Sequence, residues 1–251
     1  MTLVLLHTSP VHVPVFDALR DADHPGLALR HVVREDLLLR ARDSGPGAVA
    51  GEIRELLAHA VAEGASAVLC TCSTIGGVTE SAADAVGVPV LRVDRPMAAD
   101  AVRWGRVVVL AALVSTVAPT LALLAEEAGE RPVEVRSVLV EGAWERFEAG
   151  DRDGFLGLVA AAADAVTDAD VIVLAQASMA DAGTRTATRI PVLSSPRSGL
   201  AAAAAVVRRP DVRSACPDGS FGTRTRGLTG RGEPLRGTVE GDPPEPFGDP
   251  R

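Results

Sequence analysis

The chain has 251 residues, 47% of them hydrophobic, a net charge of −8 and a pI near 5.2. That length and apolar content support one or two domains with a substantial core. The acidic balance, with no basic stripe interleaved with aromatics, argues against a nucleic-acid partner, and no apolar run approaches the roughly 18 residues of a membrane span.

The N-terminal stretch Met1-Thr2-Leu3-Val4-Leu5-Leu6 has no basic flank and is too short for a signal peptide. It is expected to be a first strand of a cytoplasmic protein. All 25 basic residues are Arg and tyrosine is absent. A Schiff-base enzyme dependent on pyridoxal phosphate and a P-loop each need a lysine, so both are excluded. Chemistry is left to Cys, His, Asp, Glu, Ser and Thr, with no cofactor expected.

Leu3 to His7 predicts a strand that runs into the polar loop Thr8-Ser9-Pro10. A helical pattern begins at Val13, and Leu27 to Val33 predicts a second strand. After the loop Asp43 to Gly47, apolar positions at Val49, Ile53, Leu56, Leu57, Ala60 and Val61 put one stripe on one helix face. Ser66 to Cys70 predicts the third strand, and Thr71-Cys72-Ser73-Thr74 the turn that opens the next helix. Val88 to Leu91 is a fourth strand.

The second half repeats the order. Strands are predicted over Arg106–Leu113, Val133–Val140, Asp170–Ala175 and Ile190–Leu193. Helices are predicted over Pro119–Ala128, Phe155–Thr167 and Arg197–Val207. Strands alternating with helices imply parallel, helix-covered sheets. The letters repeat too: Gly87-Val88-Pro89-Val90-Leu91 resembles Arg189-Ile190-Pro191-Val192-Leu193.

The expected fold is therefore α/β, with two pseudo-symmetric parallel-sheet α/β/α domains facing a shared cleft at their strand C-termini. The boundaries are 1–97 and 98–195, with the last helix, 196–208, packing back on the first domain. From Pro210 to Arg251, 42 residues hold seven Pro and eight Gly. Residues 209–251, including Cys216, are expected to form a disordered tail.

Cys72 is the candidate catalytic residue. A thiol at a helix N-terminus lies beside free backbone N–H groups that stabilise a thiolate, and polar neighbours on both sides are unusual for a core cysteine. Cys70, still within the strand, reads as core. Cys-x-Cys without a nearby Cys/His pair leaves a metal site incomplete, so no metal is expected. Thr8, Ser9, Ser73, Thr74, Ser115, Thr116, Gln176 and Ser178 fall at strand ends and are candidate substrate-binding residues. Their hydroxyls, amide and adjacent backbone N–H groups can hold a carboxylate without basic side chains. His7 and His12 lie near the same cleft, whereas His24, His31 and His59 read as surface or loop positions. Asp94-Arg95 reads as a hinge ion pair.

Over residues 3–207 the sequence resembles the aspartate/glutamate racemase superfamily. That group contains cofactor-independent glutamate and aspartate racemases, hydantoin racemase, maleate isomerase and arylmalonate decarboxylase. Thr71-Cys72-Ser73-Thr74 is similar to the family's Ala-Cys-Asn-Thr turn, and Leu110 to Thr120 to its strand and hydroxyl-rich loop. Leu174-Ala175-Gln176-Ala177-Ser178 occupies the place of its Leu-Gly-Cys-Thr-His. The resemblance implies a thiolate that removes the proton α to a carboxylate and a second thiol that reprotonates the opposite face. It also implies a small carboxylate substrate and a homodimer or larger homo-oligomer.

Gln176 stands where the second cysteine belongs. Three functions follow: a one-thiol racemase or isomerase, with Ser178, His7 or water as the other partner; a one-cysteine decarboxylase; or a non-catalytic carboxylate-binding protein.

Overall fold

In the computed structural model, which describes residues 1–208, uninterrupted apolar runs become central parallel strands. Leu3 to Leu6 in β1 (Thr2–His7) and Ala67 to Cys70 in β3 (Ala65–Cys70) are fully buried, as expected for strands covered by helices on both faces. Between them in sequence come α1 (His12–Asp23), β2 (Ala28–Val33), α2 (Glu35–Ser44), a 3₁₀ turn (Pro46–Val49) and α3 (Ala50–Ala62). Then follow α4 (Ser73–Glu80), α5 (Ala83–Val86), β4 (Val90–Arg92) and α6 (Arg95–Ala101).

The second half runs β5 (Arg106–Ala111), α7 (Val114–Ala128), β6 (Glu134–Leu139), α8 (Ala143–Glu148), α9 (Arg152–Asp164) and β7 (Val171–Leu174). It closes with a 3₁₀ segment (Ala177–Thr184), β8 (Val192–Ser194) and α10 (Ser195–Arg208).

The expected α/β class is found. Each half forms a four-stranded, all-parallel sheet, in the orders β2-β1-β3-β4 and β6-β5-β7-β8. The two sheets are thus built on the same plan. The expected disordered tail, with Cys216, lies outside the described residues. Among the described residues no helix is long and apolar enough to cross a membrane.

The halves exchange their closing helices. α6 follows the last strand of the first sheet, yet its Met97, Ala98 and Ala101 pack with Val107 and Val109 of β5 and Val171 and Val173 of β7. α10 follows the last strand of the second sheet, and its Leu200, Ala203 and Val207 pack with Leu3 and Leu5 of β1 and Ala67 and Leu69 of β3. The crossing is tight: a Cβ at Gly199 would lie 2.3 Å from the Val93 carbonyl oxygen.

α8 is absent from the sequence reading, and two other helices differ from it. α2 occupies a stretch where the adjacent Leu37, Leu38 and Leu39 blur the helical period, and only Leu37 and Ala41 are buried. α7 begins at Val114, so Ser115 and Thr116 belong to its first turn rather than to a loop, and Pro119 sits inside the helix.

Candidate functional site

β3 ends at Cys70 and α4 begins at Ser73, leaving Cys72 as the extended residue that caps the helix, with φ −111° and ψ 116°. This geometry turns the backbone N–H groups of Thr74 and Ile75, and the hydroxyls of Thr8 and Thr74, toward the thiol. Each of these pulls the thiol pKa down, as the sequence predicts for a helix N-terminus. Burial is the larger influence, however, and pushes the Cys72 thiol up from its ordinary value. The expected stabilised thiolate is therefore corrected: desolvation exceeds the gain from the helix terminus, and the thiol is held protonated. Cys70 is fully buried in the core, and burial pushes its thiol up to about 12.

Cys72 opens on a narrow cavity of about 40 Å³ between the C-terminal edges of the two sheets. Thr8, Ser9, Ser73 and Thr74 reach it from the first half, and Thr116, Gln176 and Ser178 from the second. Ser115 does not line it and borders the adjoining groove instead. Its Oγ lies 3.4 Å from Thr74 Oγ1, and Thr116 Oγ1 lies 3.5 Å from the same atom. The Ser73 hydroxyl is committed elsewhere, donating to the Ala175 carbonyl at 2.8 Å and so tying the two strand edges together.

Gln176 has a fixed orientation. Its Oε1 accepts the Ala112 N–H at 2.7 Å, and its Nε2 is buried with no partner among the described residues. An amide anchored this way keeps a donor in reserve.

His12, expected near the cleft, does line it, and several further cavity residues carry no signal in the sequence. His12 opens α1, and burial lowers its pKa to about 4, so it is neutral at pH 7. Leu38 comes from α2, Leu113 precedes α7, and Trp144 and Phe147 come from α8. The Trp144 and Phe147 rings stack at 4.9 Å, and the Arg42 guanidinium of α2 lies 5.6 Å from the Trp144 ring centre. Trp144 Nε1 is a second buried donor without a partner among the described residues. Among the described residues no Asp, Glu or Arg lines the cavity. The site is an uncharged cleft with hydroxyl and amide donors on one side and apolar rings on the other.

The glycines after Cys72 serve packing. A Cβ on Gly76 would lie 3.2 Å from Arg92 Nε, so the small residue makes room for a buried ion pair. That pair is Arg92–Asp94, bidentate at 2.7 and 2.9 Å, and it replaces the expected pairing of Asp94 with Arg95. Arg95 instead bridges Glu80 of α4 to Glu126 and Glu127 of α7. His31, expected at the surface, is half-buried and bonded to His7.

The sequence matches no family model and no curated protein sequence. The structure does match solved ones. A glutamate racemase from Francisella tularensis in complex with D-glutamate aligns with a TM-score of 0.64 and 10% identity, covering 79% of this chain and 77% of that one. A glutamate racemase isoform from Bacillus anthracis aligns at 0.61 and 15%, covering 82% and 81%. A liganded double mutant of arylmalonate decarboxylase aligns at 0.56 and 21%, covering 83% and 95%. Likeness at these identities concerns architecture, and residues 1–208 share the fold of these racemases and of the decarboxylase.

Proposed function

We infer that this fold houses an enzyme that transfers a proton at the carbon α to a carboxylate, with Cys72 as its one reacting thiol. The observation that carries the reading is the setting of that thiol. It sits at a strand end and a helix N-terminus, in a cleft that offers neutral donors to a carboxylate and Gln176 in the matching turn of the other half. Hydroxyl, amide and backbone N–H donors suit the charge that develops on an enediolate. Glutamine has no useful proton to give or take near pH 7, so one side of the reaction rests on Cys72 alone.

The lining also supports a substrate class. An amino acid needs a counter-charge for its ammonium group, and no carboxylate side chain among the described residues lines the cleft. Leu38, Leu113, Trp144 and Phe147 favour an apolar substituent instead. A carboxylic acid bearing an aryl or bulky alkyl group and no amine fits both features.

The protonated state of Cys72 favours decarboxylation over racemisation. In that reaction the C–C bond to one carboxylate breaks and CO₂ leaves, with the electron pair remaining as an enediolate. The Cys72 S–H bond then breaks as the new C–H bond forms, and no cofactor enters. Among the structural relatives, the decarboxylase acts by its name on an arylmalonate.

The test is NMR in D₂O with phenylmalonate, α-phenylpropionate, L-glutamate and L-aspartate. Deuterated phenylacetate from phenylmalonate, or deuterium entering α-phenylpropionate, is the expected result, with neither amino acid exchanging. Cys72→Ser is expected to lower the rate by about 10²-fold or more. Saturable binding without exchange or CO₂ loss in any probe would instead favour the binding-protein function.

A further inference from the structure

His7 is the buried titratable group that this chemistry leaves unused. It ends β1, wholly buried, with both ring nitrogens engaged. Nδ1 lies 2.8 Å from Thr71 Oγ1, and Nε2 lies 2.8 Å from Nδ1 of His31 in β2. His31 Nε2 lies 3.4 Å from Oδ1 of Asp17 in α1, whose carboxylate is 40% exposed. An unbroken file of polar groups therefore runs from a solvent-facing carboxylate, through two imidazoles in series, to Thr71. Thr71 lines the cleft next to Cys72 in the chain.

Holding three strand ends together requires hydrogen bonds but not two groups that each donate on one nitrogen and accept on the other. Burial, then the neighbouring His12 and His31, hold His7 at about 3, so it stays neutral at pH 7. A neutral imidazole moves a proton by exchanging tautomers, with no buried charge to stabilise. The tilted Phe16 ring at 5.6 Å and the stacked His12 ring at 6.2 Å close the remaining sides of His7.

We propose that His7 and His31 form a proton relay that connects solvent at Asp17 with the cleft at Thr71 and so recharges the single thiol; this rests on the reading of Cys72 as an acid. In the inward direction, a proton from solvent or from the Asp17 carboxyl forms the His31 Nε2–H bond. The His31 Nδ1–H bond breaks, and its proton passes to His7 Nε2. His7 releases its Nδ1 proton to Thr71 Oγ1, and the original Thr71 hydroxyl proton passes to a cleft water. That water gives a proton to the Cys72 thiolate left after the substrate carbon has been protonated. One proton leaves solvent for each S–H bond remade, both rings end neutral, and passage in the opposite sense restores the starting tautomers. In this step the Thr71 hydroxyl gives up its bond to the Leu6 carbonyl, at 3.2 Å the longer of its two, and turns toward the cleft.

The test combines two measurements on the full chain, with His31→Gln at the half-exposed end and Asp17→Asn beyond it. In nitrogen-15 spectra of the free protein, the relay predicts His7 ring shifts averaged between the bare and protonated positions. In His31→Gln they collapse to a single tautomer. In the deuterium assay with phenylmalonate and α-phenylpropionate, His31→Gln is expected to slow turnover about tenfold or more. Added imidazole should restore it in a saturable manner, while Cys72→Ser stays inactive with imidazole. A fixed His7 tautomer in the intact protein overturns the relay. So does undiminished turnover in His31→Gln, or a loss that imidazole leaves unchanged. If no probe acid reacts with the intact protein, the Cys72 reading fails by itself, and the nitrogen-15 spectra still decide for or against the relay.

Discussion

Cys72 is pulled two ways, and which pull wins sets its reactivity. Thr8, Thr74 and the N–H groups of Thr74 and Ile75 favour the thiolate, and burial opposes them more strongly. Alkylation by iodoacetamide is therefore expected to stay slow at pH 7 and to rise only above the ordinary thiol range near pH ~8.5. A plateau already reached at pH 7 would show that the helix terminus wins. Gln176→Cys puts a second thiol in the matching turn, at the expense of the Ala112 bond. The expected outcome is loss of optical activity in α-phenylpropionate in place of one-sided exchange, measured by chiral chromatography.

His7 makes a further prediction about pH. Its folded pKa, about 3, lies below the unfolded 6.5. Between those values the unfolded chain binds the extra proton, so stability rises with pH. The contribution is complete above about pH 6.5 and is lost progressively as pH falls toward 3, at up to about 1.4 kcal/mol per pH unit. Urea midpoints measured at pH 7.5 and pH 5 should show this loss, and His7→Gln should reduce it. His12, lowered to about 4, adds a slope of the same sign that remains in the variant.

Elements differ in how plainly they can be read. Strands such as Leu3–His7 and Val171–Leu174 are legible because a strand buried on both faces needs an unbroken apolar run. The turn at Cys72 is legible because polar residues interrupt such a run where a helix begins. Thr8, Ser9 and Gln176 follow from it by topology, since parallel strands deliver their C-termini to one edge. Leu38, Trp144 and Phe147 were not legible: they sit on α2 and α8, and only tertiary packing carries those helices to the cleft. His31 was hidden in the same way, because its partner lies 24 residues away on the neighbouring strand. Which sheet a helix covers is likewise absent from its local pattern, as α6 and α10 demonstrate. Gly199→Ala tests the tightest point of that packing. Its Cβ meets a backbone oxygen, which cannot rotate aside, so a loss of about 1–3 kcal/mol or more is expected in chemical denaturation.

At the scale of residues 1–208, the two sheets are joined by several independent ties. Ser73 bonds to Ala175 across the strand edges, Arg95 spans α4 and α7, and each closing helix covers the other half's sheet. Exposed ion pairs contribute little individually, so the crossed helices dominate the coupling. Neither half can lose its structure without uncovering apolar residues of the other. Calorimetry is expected to show these residues melting in one cooperative transition; two resolved transitions would mean that the halves fold independently.

The crossed helices also constrain what a half-length ancestor could have looked like. A chain holding only β1–β4 and their own helices would leave Leu3, Leu5, Ala67 and Leu69 without the cover of α10, and would carry Met97, Ala98 and Ala101 of α6 away from the sheet they pack on. The remedy that reproduces the observed packing is a swapped pair, each copy lending its last helix to the other. Duplication and fusion would then have turned two chains into one while keeping the exchange. The two turns at the cleft would have begun as identical copies, free to diverge only after fusion into Cys72 on one side and Gln176 on the other. Residues 1–101 expressed separately should accordingly be found as a dimer, or unfolded, in sedimentation experiments, and never as a folded monomer.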